Sequence, residues 1–146
     1  MSGVPARVTY VGIGVRDLPA MRAFYERLGW EAGEGSSDGF AWFECGGTRV
    51  SLYPWHLLAA EAGVPADGPH TAFRGITLAI NCETEARARE VLEAARAAGA
   101  RITAEGVMHP HDVWSGYFAD PEGNLWEVAW SPRSNRFDAR GVLIDP

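Results

Sequence analysis

The 146-residue sequence predicts an α+β fold built around one core. Three observations carry that prediction. Short stretches alternate apolar and small or polar residues with the period of two that fits strands. Two other stretches carry an apolar stripe at helical spacing. The order strand, helix, then further strands occurs twice along the chain. The length is about one domain's worth, and 47% hydrophobic with 22% charged residues is ordinary globular usage, which argues against disorder, collagen and coiled coil.

The first strand, Val8 to Val15, sets Val11, Ile13 and Val15 on one face and Tyr10, Gly12 and Gly14 on the other. Asp17-Leu18-Pro19 then starts a helix, since Asp accepts from free first-turn amides and Pro is tolerated there. Met21, Phe24, Tyr25 and Leu28 form its inner stripe and Gly29 stops it. Gly39 to Cys45 and Thr48 to Tyr53, joined by Gly46-Gly47, read as a hairpin. The second half repeats the order with a strand from Phe73 to Ile80, a helix from Glu83 to Ala98 with Val91, Leu92 and Ala95 inside, and Gly99 as its stop. Strands follow at Arg101 to Ala104, Val113 to Ala119 and Leu125 to Trp130, the last two joined by the turn Asp120-Pro121-Glu122-Gly123-Asn124.

One domain is therefore expected over 1–132, with module one at about 7–54, a linker at 55–72 and module two at about 73–131. The linker carries a short helical patch at His56 to Ala62 and a Pro- and Gly-containing stretch, Gly63 to Gly68. A tail at 133–146 ends in the apolar run Val142-Leu143-Ile144, which either docks on a partner subunit or frays.

Thirteen Lys and Arg against nineteen Asp and Glu give a net charge of −6, which opposes attraction to phosphate backbones and makes nucleic acid an unexpected partner. No apolar run approaches the roughly 18 residues that span a bilayer. Met1 to Arg7 lacks a basic segment followed by an apolar stretch, so a cytoplasmic protein without a membrane partner is expected. Cys45 and Cys82 form no CxxC pair and read as small buried hydrophobes.

In four strands one face is branched or aromatic (Val11/Ile13, Val50/Leu52, Ile76/Leu78, Trp126/Val128) and the other carries Tyr10/Gly12, Ser51/Tyr53, Gly75/Thr77 and Leu125/Glu127. The first set suits packing under two helices. The second leaves space lined by a few polar groups, which fits either a ligand cleft or a solvated outer face.

Val15-Arg16-Asp17-Leu18, Phe24-Tyr25, Leu28-Gly29 and the stretch Phe118-Ala119-Asp120-Pro121-Glu122-Gly123-Asn124-Leu125-Trp126-Glu127 resemble the glyoxalase, bleomycin-resistance and extradiol-dioxygenase superfamily, the vicinal oxygen chelate proteins. The resemblance runs nearly to Pro132. It implies two βαβββ modules whose curved sheets enclose a cleft, usually completed in a homodimer. Metal-using members place four ligands, typically His and Glu, on four cleft strands, and those positions fall here on Tyr10, Ser51, Gly75 and Glu127. Of these only Glu127 is a usual ligand, whereas a divalent metal needs about three or more protein donors. No metal and no other cofactor is expected.

Tyr10 and Tyr53 offer hydroxyls to a bound molecule or simply fill the cleft. Trp42, Trp55, Trp114 and Tyr117 fall in segments expected to border it, where flat rings hold planar ligands, while Trp30, Trp126 and Trp130 suit the core. With Ser51 and Gly75 these form the expected ligand-binding set, and Glu127 is the candidate acid or base. His56 is expected on the cleft wall and His70 in solvent. The preferred reading is a metal-independent binder of a small organic molecule, similar to the sequestering bleomycin-resistance type. The alternatives are a lyase, isomerase or dioxygenase-like enzyme in which Glu127 moves a proton, or one with a displaced metal site at His109, His111 and Glu127.

Overall fold

The structure is a computed structural model and describes residues 8, 10–63, 65–67, 73–74, 76–110 and 112–144. Strands β1 (Tyr10–Val15), β2 (Ala41–Cys45) and β3 (Thr48–Pro54) form one sheet in the order β1-β3-β2. Strands β4 (Leu78–Asn81), β5 (Arg101–Met108), β6 (Trp114–Ala119) and β7 (Leu125–Trp130) form another, ordered β4-β7-β6-β5. In both sheets the first strand runs parallel to the last and the other pairings are antiparallel. A single bridge, Ala32 to Phe43, holds in the first sheet the place that β5 takes in the second. The two halves thus share one topology.

Helix α1 (Leu18–Arg27) is capped by Asp17, whose carboxylate accepts from the Ala20 amide at 3.0 Å. It ends at Gly29, whose φ of 93° lets the Trp30 amide reach back to the Tyr25 carbonyl. Helix α2 (Trp55–Ala62) follows β3 directly, and helix α3 (Glu85–Ala98) is capped by Thr84. Because Thr84 rather than Glu83 offers the cap oxygen, α3 starts two residues later than the apolar stripe alone predicts.

Strand β4 is the main departure from expectation. Among the described residues its one neighbour is β7, which begins at Leu125 on leaving the Asp120 turn, so pairing runs from Leu78 with Trp126 to Asn81 with Ala129. Phe73, Arg74, Ile76 and Thr77 are exposed and lie outside the sheet. Strand β5 runs four residues further than expected, to Met108 paired with Trp114, across two breaks in register.

The branched faces of both sheets and the inner stripes of α1 and α3 merge into one core that includes Met21, Phe24, Tyr25, Phe43, Leu92, Phe118 and Trp126. Tyr25 joins the two halves: its hydroxyl donates to Asp120 Oδ2 at 2.7 Å and accepts from Trp126 Nε1 at 3.1 Å. The Glu122 carboxylate adds a second link by accepting from the Arg16 and Asp17 amides. Both cysteines are free thiols, Cys82 buried and Cys45 half-buried. The tail folds back on its own chain, with Phe137 bridging Leu143 and Gly141 against the tight Gly46-Gly47 turn. A Cβ on Gly46 would lie 2.8 Å from the Gly141 carbonyl oxygen.

Candidate functional site

Strand alternation leaves each sheet a second face, turned away from α1 and α3. On the first sheet, register sets Tyr10 beside Arg49 and Arg49 beside Glu44 in one row, and Gly12, Ser51 and Trp42 in the next. Arg49 is the organising group. Its guanidinium lies 3.9 Å from the centroid of the Trp42 ring and 5.7 Å from that of Tyr10. Nη1 donates to the Tyr10 hydroxyl at 2.9 Å and Nε to Glu44 at 3.3 Å. Trp42 also packs on Gly33, where a Cβ would clash with the ring, and the indole Nε1 donates to the Glu34 carbonyl. Trp42 is thus packed between Arg49 and Gly33 within the chain.

Ser51 is buried next to Gly12. At the far end of this face α2 covers the sheet, with Trp55 and Leu58 against Gly14. Trp55 Nε1 donates to the Ala66 carbonyl at 2.8 Å. Tyr53 donates to Glu61 at 2.9 Å, and that hydrogen bond pushes its phenol above the ordinary range. His56 is exposed on α2.

On the second sheet Glu127 stands between Ala79 and Tyr117. The Tyr117 hydroxyl donates to Glu127 Oε1 at 2.9 Å, and its phenol is held above the ordinary value first by burial and then by this bond. Beside it, His109 Nε2 lies 3.0 Å from the hydroxyl of buried Ser115. Glu127 with Tyr117, and Ser115 with His109, thus make two adjoining polar pairs on this face.

Strands β1 and β4 are edge strands of their sheets, and a cavity of about 920 Å³ opens beside them. Gly12, Gly14, Phe73, Arg74, Arg101 and Glu122 are among its walls. A second cavity of about 500 Å³ lies under Phe137 and Leu143, and Val11 and Leu78 border both. Neither cavity reaches Trp42, Ser51, Tyr117 or Glu127, which occupy the open faces of the sheets.

Tyr10, Trp42 and Ser51 therefore share one face with Arg49, and Glu127 and Tyr117 form a separate pair. Gly75, His70 and His111 lie outside the described residues. Trp114 departs from the expected cleft border. It is 1% exposed, packs against Gly106 under Arg89 of α3, and sits three residues from Tyr117. An odd separation on one strand puts the two on opposite faces, so Trp114 joins Phe118 in the core. Arg49 and Ser115 escape a reading that looks for rings and metal ligands. The signal was nonetheless present, because Arg49 shares the parity of Ser51, and Ser115 that of Tyr117.

The sequence profile of the Glyoxalase/Bleomycin resistance protein/Dioxygenase superfamily matches residues 7–128, and the chain belongs to that superfamily. A glyoxalase-related enzyme from Fulvimarina pelagi is similar over 96% of this chain and 98% of its own, at 26% identity and a TM-score of 0.84. A glyoxalase/bleomycin resistance protein/dioxygenase family enzyme from Burkholderia phytofirmans PsJN shares the fold at 22% identity and TM-score 0.75, over 86% of this chain and 99% of that one. The lactoylglutathione lyase of Agrobacterium tumefaciens does so at 22% identity and TM-score 0.65, over 88% and 96%. No curated protein matches the sequence.

The donor set does not fit the metal that many members hold. The Tyr10 hydroxyl accepts from a guanidinium, Ser51 is a neutral hydroxyl, and Glu127 already accepts from Tyr117. Among the described residues no three His, Cys, Asp or Glu side chains converge as a metal site would require.

Proposed function

We propose that this protein binds a small planar organic molecule without a metal ion, sequestering an aromatic or natural-product ligand as a cytoplasmic homodimer. The observation that carries the reading is the first sheet's open face, where Tyr10, Arg49 and Trp42 stand together with no converging ligand set beside them. Flat rings and a stacked guanidinium bind by area and by π-contact, which suits cargo rather than coordination. The dimer is supported by Phe73 and Ile76, each 69% exposed and lining the cavity beside the edge strands β1 and β4. Apolar surface of that kind beside edge strands suits a second copy of the chain.

Calorimetric titration with a panel of planar aromatic compounds tests the reading. Saturable one-site binding by at least one compound is expected, with less than 0.1 equivalent (roughly a tenth of a site) of any transition metal in protein purified without chelators. No binding across the panel, or stoichiometric metal, overturns it.

The Tyr117–Glu127 pair favours a second reading, a metal-independent lyase or isomerase with Glu127 as the base. Tyr117 donates to the carboxylate at 2.9 Å and so fixes its orientation, as a positioned base requires. Glu127→Gln then abolishes turnover and spares binding; in a pure binder it alters neither. A displaced metal site using His109, His111 and Glu127 is tested by the same metal analysis.

A further inference from the structure

Resting on the binding reading above, we infer that the bound molecule is a planar anion, an aromatic carboxylate or enolate, and that the stacked guanidinium of Arg49 is what recognises it. Three features of the first sheet lead there. First, Trp42 does not offer a free ring to a ligand, because Arg49 covers one face at 3.9 Å and Gly33 packs tightly against the indole. The surface offered to a ring is the outer face of the guanidinium, since the Arg49 side chain keeps 42% of its exposure. A planar, delocalised cation already flattened on an indole continues the stack with a second π-system.

Second, the guanidinium is fixed in plane. Nη1 is held by the Tyr10 hydroxyl and the guanidinium lies over the Trp42 ring, so the direction of its remaining N–H donors is set without relying on Glu44. Among the described residues no hydrogen bond engages Arg49 Nη2. Together with Nε, once Glu44 gives way, or with the second N–H of Nη1, Nη2 offers a carboxylate two parallel hydrogen bonds, a fork that guanidinium provides and ammonium does not.

Third, the one acid beside it is a weak competitor. Glu44 reaches Arg49 through one 3.3 Å contact of Oε2 and is 57% exposed, its other oxygen accepting from the Gly47 amide at 3.1 Å, so an incoming carboxylate competes for Nε with a solvent-exposed partner. Elsewhere on this face the polar groups are the hydroxyls of Tyr10, Ser51 and Tyr53, the last of which donates to Glu61. The stacked cation is the feature that distinguishes a charged from a neutral planar molecule.

The test is calorimetric titration of the full-length protein with naphthalene-2-carboxylate and with naphthalene-2-carboxamide, which share the ring and differ in charge. The carboxylate is expected to bind at least about tenfold more tightly, with an affinity that falls as sodium chloride rises while that of the amide stays level. Arg49→Met brings the two probes within about twofold of each other. Arg49→Lys keeps part of the charge preference and loses part of the shared ring affinity, because an ammonium attracts but does not stack. The salt dependence is measured on the unaltered protein, so a folding defect in a variant does not remove the test. Equal binding of the two probes, or a carboxylate preference that survives Arg49→Met, overturns the inference and leaves small-molecule binding intact. Failure of both probes also overturns it, and the neutral members of the wider panel then decide the binding reading separately.

Discussion

Removing one oxygen atom, in Tyr25→Phe, tests how the two halves of the chain are joined. The Tyr25 side chain is 0% exposed, and its hydroxyl sits between Asp120 Oδ2 at 2.7 Å and Trp126 Nε1 at 3.1 Å, both on buried residues. Phenylalanine keeps the ring and its stack on Trp30 at 5.2 Å. What is lost is a hydrogen bond to a carboxylate, worth about 1.5–3 kcal/mol, and the indole N–H is left without an acceptor at a cost of about 1–3 kcal/mol. Asp120 keeps the Glu122 and Asn124 amides and the Asn124 side chain, which offsets part of the loss. We expect a destabilisation of about 3 kcal/mol in urea unfolding followed by fluorescence, and a fall in Tm of about 6–12 °C.

The same variant carries a pH signature. Burial first, and the Asp120 charge next, hold the Tyr25 phenol well above its ordinary value. The folded state thus keeps a proton that the unfolded chain releases from about pH 10 upward. This contribution is whole below that pH and is lost above it at about 1.4 kcal/mol per pH unit, a slope that Tyr25→Phe lacks. A Tm change under about 1 °C, or an alkaline slope as steep as that of the unaltered protein, would refute the reasoning.

Gly106→Ala places a Cβ 1.9 Å from the Trp114 ring in a buried contact and is expected to cost about 1–3 kcal/mol by denaturant unfolding. Gly33→Ala sets a Cβ against Trp42, so the indole must shift and its contact with Arg49 is disturbed; a shifted tryptophan emission with little change in far-ultraviolet dichroism is expected. Burial pushes the Cys45 thiol to about 11, so a disulfide reagent at pH 8 should modify it slowly in the native protein and at once in urea. Folding holds that proton too, so stability also declines between about pH 9 and about 11. In a 295 nm titration of Glu127→Gln, the Tyr117 phenol should ionise at lower pH than in the unaltered protein but stay above its ordinary value, because burial, the larger cause, remains.

Local chemistry made much of the fold legible. Asp17, Gly29 and Gly99 mark helix ends because capping oxygens and left-handed glycines act within a few residues. The β2–β3 and β6–β7 hairpins are written the same way. Strand parity was available too, and applied to β6 it separates Trp114 from Tyr117 without any structure. The likeness of the two halves was visible as a repeated order of elements.

Only the tertiary structure decided which strands pair, because pairing is a contact between residues far apart in sequence. The length of β4 is set by how much of β7 lies opposite it, and no pattern within residues 73–81 records that limit. The laying of α2 over Gly14 and the return of the tail to Gly46 were undecided for the same reason. So was the role of Arg49, whose meaning depends on Tyr10 and Glu44 arriving from two other strands and on Trp42 arriving flat. The sequence by itself determined the elements, their faces and the superfamily they resemble. The site is a matter of register, since charge, ring and hydroxyl act together only when separate strands bring them within a few ångströms.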